Sequence, residues 1–177
     1  AYYQGLQAIF EGYTLSPQSN FMEELRMIKD EKELATIRKA CSISDRAFTD
    51  VLDFIKPGQT TELQVANFLD FRMREYGASG ISFESIIASG YRSAMPHGVA
   101  SEKVIQSGET LTMDFGCYYN HYVSDMTRTI HIGDTTDEER EIYDIVLRSN
   151  QALIDAAKAG MTRRDYDKVC LLYTSDA

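Results

Sequence analysis

The segment LTMDFGCYYNHYVSDMTRTIHI, residues 111–132, limits the fold more than any other part of the chain. It holds two β-rich runs, Thr110–Tyr118 and Tyr122–Ile132, separated by too few residues for a crossover connection. Runs joined that closely pair as an antiparallel hairpin. A turn near Tyr119-Asn120 predicts the register. Leu111, Met113, Phe115 and Cys117 then share the more apolar face with Arg128, Met126, Ser124 and Tyr122. The other face pairs Thr112 with Thr127, Asp114 with Asp125, and Gly116 with Val123.

Helical patterns stand on both sides of this hairpin. Asp30-x-x-Glu33 is a capping box that opens an apolar stripe of Leu34, Ile37, Ile43, Ala47, Val51, Phe54 and Ile55, and Pro57-Gly58 ends it. Thr61-x-x-Gln64 opens a second helix through Tyr76, with Leu63, Phe68, Leu69 and Met73 expected inward and Gly77 as its stop. Ile81 to Ala88 reads as a short apolar strand and Gly90 to Glu102 as a loop. After the hairpin, Thr136-x-x-Glu139 opens a third helix through Ile142, Ile145, Val146, Leu153, Ile154 and Ala157. Gly160 ends it, and Thr162 can cap a fourth. Residues 1–25 show no sustained period and read as a strand or a linker remnant. Helices grouped around an antiparallel sheet give an α+β class.

The two helix–turn–helix junctions, Ile55–Thr60 and Ala157–Thr162, repeat at an offset of 102 residues, from Gly58 to Gly160. After the first copy the chain runs into the β-rich segment with Asp114. After the second only residues 161–177 remain, so a true repeat predicts a second sheet outside this sequence.

Composition removes several functions. The net charge is −9, from 27 acidic and 18 basic residues, which argues against nucleic acid as the main partner. No run of about 18 apolar residues exists, so no transmembrane helix is expected. There is no signal-like start, although the sequence begins at Ala1 and says nothing of what lies upstream. Cys41, Cys117 and Cys170 are an odd number without CxxC spacing, which fits a reducing, cytoplasmic setting better than a disulfide framework.

The carboxylates are the chemically informative residues. In the expected register Asp114 and Asp125 face each other with Cβ atoms about 5 Å apart, and like charges so placed are destabilising. A divalent cation between them removes that cost, and Gly116 leaves room for an approach. Two other readings satisfy the same spacing. The turn lies elsewhere or both aspartates face solvent, or the two share a proton as an acid pair.

At these residues the chain resembles a known family. MDFGCYYNHYVSDMTRT is similar to the metal-binding hairpin of the Xaa-Pro aminopeptidases and dipeptidases, in the wider pita-bread group with methionine aminopeptidase and creatinase. The shared pattern is an aspartate before Phe-Gly, a tyrosine-rich turn, and Ser-Asp-x-Thr-Arg-Thr. LRMIKDEKELATIRKACSISDRAF, FESIIASGYRSAMPHGVAS and REIYDIVLRSNQALIDAAKAGMT resemble, in the same order, the start of the catalytic domain, the strand and loop before the site, and the helix pair after it. The likeness runs from about Leu25 to about Val169.

The resemblance implies the N-terminal half, or slightly more, of a pita-bread fold. It implies Asp114 and Asp125 as metal ligands, and His97 in Met95-Pro96-His97-Gly98 as a catalytic residue facing the substrate. The cofactor would be two divalent ions, manganese or alternatively cobalt or zinc, activating a water. The substrate would be a peptide with proline at its second position, and the full-length protein a cytoplasmic homodimer without nucleic-acid or membrane partners. His121 and His131 receive no role.

The family site also needs a histidine and two glutamates, and no counterpart of these is found here. The expected organisation is therefore 1–25 as the remnant of an N-terminal domain and linker, 26–170 as an incomplete catalytic domain, and 171–177 as a tail that does not follow the family pattern. A 177-residue chain with two of five ligands is expected to be inactive. The rival readings are another pita-bread hydrolase, such as methionine aminopeptidase, and a non-catalytic pita-bread binding protein. Retention of both aspartates disfavours the latter.

Overall fold

A computed structural model describes residues 2–174. The helices are α1 (Tyr2–Ile9), α2 (Phe21–Met27), α3 (Glu31–Phe54), α4 (Glu62–Glu75), α5 (Asp137–Ala156) and α6 (Arg163–Thr174). The strands are β1 (Gly80–Ile81), β2 (Ile86–Ser89), β3 (Glu109–Phe115), β4 (Cys117–Tyr119), β5 (Tyr122–Val123) and β6 (Met126–Ile132), with a 3₁₀ turn over Gly90–Ala94. Of the segment 171–177, residues 171–174 continue α6, and 175–177 lie outside the described residues.

Residues 2–25 are not a strand. They hold α1 and the start of α2, each too short to show a periodic stripe in the sequence. The remaining helices start where their caps predict. Asp30 Oδ1 accepts from the Lys32 and Glu33 N–H groups at 2.8 Å each, and Glu33 returns the bond to the Asp30 N–H at 2.7 Å. Thr61 with Gln64 and Thr136 with Glu139 form the same reciprocal box. Each satisfies donors that a helix N-terminus otherwise leaves open.

The core lies between the α3–α4 pair and the sheet. Ile43, Ala47 and Val51 of α3 and Val65, Leu69 and Met73 of α4 are fully buried against Ile87, Leu111, Met113 and Phe115. Leu63, expected inward, is 37% exposed. The stripe of α4 runs 62, 65, 69, 73, so the inward position in its first turn belongs to Glu62.

The strands form two small antiparallel sheets, β2-β3-β6 and β1-β4-β5. They part at Gly116, where the chain passes very close to itself. A Cβ there would lie 2.0 Å from the Ser124 carbonyl oxygen, so no larger residue fits. That glycine admits backbone, not a ligand, which corrects the expectation of an open approach.

The register also differs from the expected one. The turn sits on Asn120 and His121, both left-handed (φ 44° and 69°), the signature of a two-residue hairpin loop. Moving the turn by one residue slides every pair by two. Tyr119 meets Tyr122, and Asp114 meets Thr127 instead of Asp125. A slide of two keeps side chains on their faces. Leu111, Met113, Phe115 and Cys117 therefore still share the buried side.

Candidate metal centre

β3 is the central strand of its sheet, so Asp114 stands between Ile86 on β2 and Thr127 on β6. Alternation turns Met113 and Phe115 toward α3 and α4 and leaves Thr112 and Asp114 on the open face. Asp114 is half-buried and accepts a hydrogen bond from Thr127 Oγ1 at 3.0 Å. A threonine thus occupies the place expected for the second aspartate.

Asp125 lies two residues before Thr127, in the gap between β5 and β6. Asp125 is thus not the residue directly opposite Asp114. The like-charge clash inferred from the expected register is therefore relaxed, and the pair does not by itself require a cation. Its orientation is set by Ser124, which is 2% exposed. Ser124 Oγ accepts from the Cys117 N–H at 2.9 Å and shares a 2.6 Å bond with Ser44 of α3. With Ser124 turned into the core, the next residue, Asp125, is exposed on the open side. The tip of the hairpin is fastened as well. Tyr122 hydrogen-bonds Glu33 of α3, and that bond is the main reason the Glu33 carboxyl lies below its ordinary pKa.

The loop with His97 reaches the same face. It leaves β2 at Ser89 and returns so that Val99 pairs with Ile86, the residue opposite Asp114. Gly98 is buried, and a Cβ on it would come within 3.1 Å of the Cβ of Ala88. Ala88 pairs with Thr112, so this loop rests on the face that carries Asp114. His97 itself is exposed. His121 occupies the hairpin turn, and His131 Nε2 lies 2.9 Å from the Asp134 carbonyl oxygen.

Carboxylate oxygens suit hard divalent ions, and Asp114 and Asp125 offer them on one solvent-facing surface. They fit part of a donor set rather than all of it. Among the described residues no group of three or more His, Cys, Asp or Glu side chains is arranged to hold a metal ion. The sequence reading missed the Thr127 partner and the Ser124 pivot. The Asn120-His121 dipeptide, flanked by tyrosines, was the available signal for the first. Nothing local marks the second.

Comparison with known proteins gives the frame. The profile of metallopeptidase family M24 matches residues 35–176. The Xaa-Pro dipeptidase of Pyrococcus furiosus is 44% identical over 148 residues, covering 84% of this chain and 42% of that protein. The solved Xaa-Pro dipeptidase from Bacillus anthracis superposes with a TM-score of 0.91 at 44% identity, over 98% of this chain and 48% of that one. The X-Pro aminopeptidase from Thermotoga maritima gives a TM-score of 0.90 at 37% identity, over 98% and 49%. The chain thus spans about half the length of the proteins it matches, and its fold is about half of the pita-bread fold. With the hairpin and both aspartates inside the matched region, this chain belongs to metallopeptidase family M24.

Proposed function

We propose that this chain is part of a metal-dependent exopeptidase that releases the N-terminal residue of peptides with proline second. The observations that support the reading are Asp114 and the His97 loop on one open face of the β2-β3-β6 sheet and Asp125 exposed just before β6, all within the region matched to family M24. Asp114 and Asp125 would hold divalent ions, manganese first and cobalt or zinc as alternatives. Such ions, when bound, supply Lewis-acid activation of water and of the scissile carbonyl. His97, exposed on its loop, hydrogen-bonds the substrate or the developing tetrahedral centre. Residues 1–25 would belong to an N-terminal domain and linker, 26–170 to the catalytic domain, and the whole enzyme would be a cytoplasmic homodimer. No helix among the described residues is long and apolar enough to cross a membrane.

Manganese titration into the 177-residue chain tests the ligand assignment. Paramagnetic broadening is expected first at Asp114, Asp125 and their neighbours, and D114N and D125N should each remove it. Broadening that begins elsewhere, or survives both substitutions, rejects the assignment. The same chain with manganese is expected to leave an Xaa-Pro dipeptide intact, because two carboxylates do not complete the five-ligand set that the resemblance implies.

A further inference from the structure

We infer that Glu62 is a positioning residue that clamps both ends of the loop carrying His97; this rests on the role proposed for His97. Glu62 is the first residue of α4 and its side chain is fully buried. Its Oε1 accepts from the Ser89 N–H at 2.8 Å and the Ser89 hydroxyl at 2.9 Å. Its Oε2 accepts from Arg92 Nε at 3.0 Å, the Ser101 N–H at 3.2 Å and the Ser101 hydroxyl at 2.6 Å. Ser89 is where the loop leaves β2, and Ser101 follows its return at Val99. One carboxylate therefore gathers departure and return, one oxygen to each end.

The chemistry makes this more than packing. A carboxylate taken out of water is costly unless a cation and further donors replace its hydration. Here Arg92 supplies the cation, and every donor comes from the loop or its two ends. The observed loop conformation supplies five donors to Glu62. Arg92 passes the constraint inward, donating from its Nη2 to the Val99 carbonyl at 2.6 Å, two residues from His97. The backbone of α4 adds to the hold, with the Leu63 N–H donating to the Ser101 carbonyl at 2.9 Å.

Amide hydrogen exchange by NMR on Glu62→Gln in the full 177-residue chain tests the clamp. Glutamine keeps the shape but loses the charge and half of the acceptor capacity. Residues Arg92, Ser93, Gly98 and Val99 are expected to exchange at least about tenfold faster, while Leu69, Met73, Leu111 and Met113 keep their rates. The His97 imidazole signals should move toward their unfolded positions in the same variant. Unchanged loop rates, or equal acceleration in the core, overturn the inference. If Glu62→Gln does not fold, Ser101→Ala removes the hydroxyl bond at the return and Arg92→Lys the guanidinium bridge from Glu62 to Val99, and each leaves the carboxylate partnered. Loop-only acceleration in both supports the clamp, and its absence overturns it. Manganese broadening at Asp114 and Asp125 should be the same in Glu62→Gln as in the parent. Its absence in the parent sinks the metal reading and leaves the loop result to be judged separately.

Discussion

The molecule contains two helix hairpins built to one local plan and finished differently. α3–α4 and α5–α6 both begin at reciprocal capping boxes, and both turn through a left-handed glycine, Gly58 and Gly160. The first hairpin is closed by both sheets, with α3 against β4 and β5 and α4 against β1 and β2, and Ile43, Ala47, Val51, Val65, Leu69 and Met73 lose all contact with solvent. In the second, Ile142 is 55% exposed, Val146 58%, Leu147 52% and Ile154 60%. Ser149 is the buried residue of α5, bonded to the Cys170 carbonyl at 3.3 Å. Among the described residues no sheet covers α5–α6. Caps and periodicity are enough to make a helix pair; burying its stripe takes a second layer.

A pair of leucine truncations gives the largest test of that contrast. Leu69→Ala opens a cavity in the closed core and is expected to cost about 2–5 kcal/mol in urea unfolding. Leu147→Ala removes a side chain already half in water and should change stability by less than about 0.5 kcal/mol. A comparable loss at Leu147 would show that the second hairpin is covered in solution, and the contrast would fail.

The same division marks what the sequence could reveal. Helix starts were legible because a cap is a local event: Asp30, Thr61, Thr136 and Thr162 each meet their partner three residues on. The faces of the β-hairpin were legible because alternation survives a two-residue slide. Its register was not, since it depends on which two residues accept left-handed backbone, and Asn120-His121 took the turn in place of Tyr119-Asn120. α1 and α2 were too short to announce themselves. For the candidate site, Asp114, Asp125 and His97 were singled out by the motifs around them. Ser124, Thr127 and Glu62 were not, because their roles arise from partners 7 to 80 residues away.

Removing the caps should separate the two hairpins by how far the damage spreads. Thr61→Ala and Thr136→Ala each delete a side-chain acceptor at a helix start, worth about 1 kcal/mol. The Thr61 loss should lower the global unfolding midpoint, because α4 melts together with the sheet it supports. At Thr136 the loss should instead appear as faster amide exchange over Asp137–Arg140, with a smaller shift of the main transition. Equal global losses would place α5–α6 within one cooperative core.

The smallest expected effect is electrostatic and concerns the device the hairpins share. Glu139 Oε2 accepts from the Thr136 N–H at 2.8 Å, and Asp165 Oδ2 accepts from the Thr162 N–H at 2.8 Å. Those backbone bonds are the main cause holding both carboxyls below their ordinary values. In the closed half, burial pushes the Glu109 carboxyl up, but the Lys103 ammonium at 2.7 Å and the Gln106 N–H outweigh it and leave it lowered as well. A carboxyl lowered by folding contributes stability that is complete above its ordinary pKa, near 4, and is lost as the pH falls through the lowered value. Acidification from about pH 5 should therefore move the Thr136 and Thr162 amide proton signals with midpoints below the ordinary carboxylate range. Protonating Glu109 should instead speed exchange at Gln106, beside the sheet. A Thr136 midpoint at or above the ordinary value would mean the cap is not formed in solution. α5 would then start without the reciprocal bond that α3 and α4 have, and the two hairpins would differ in their local plan as well as in their covering.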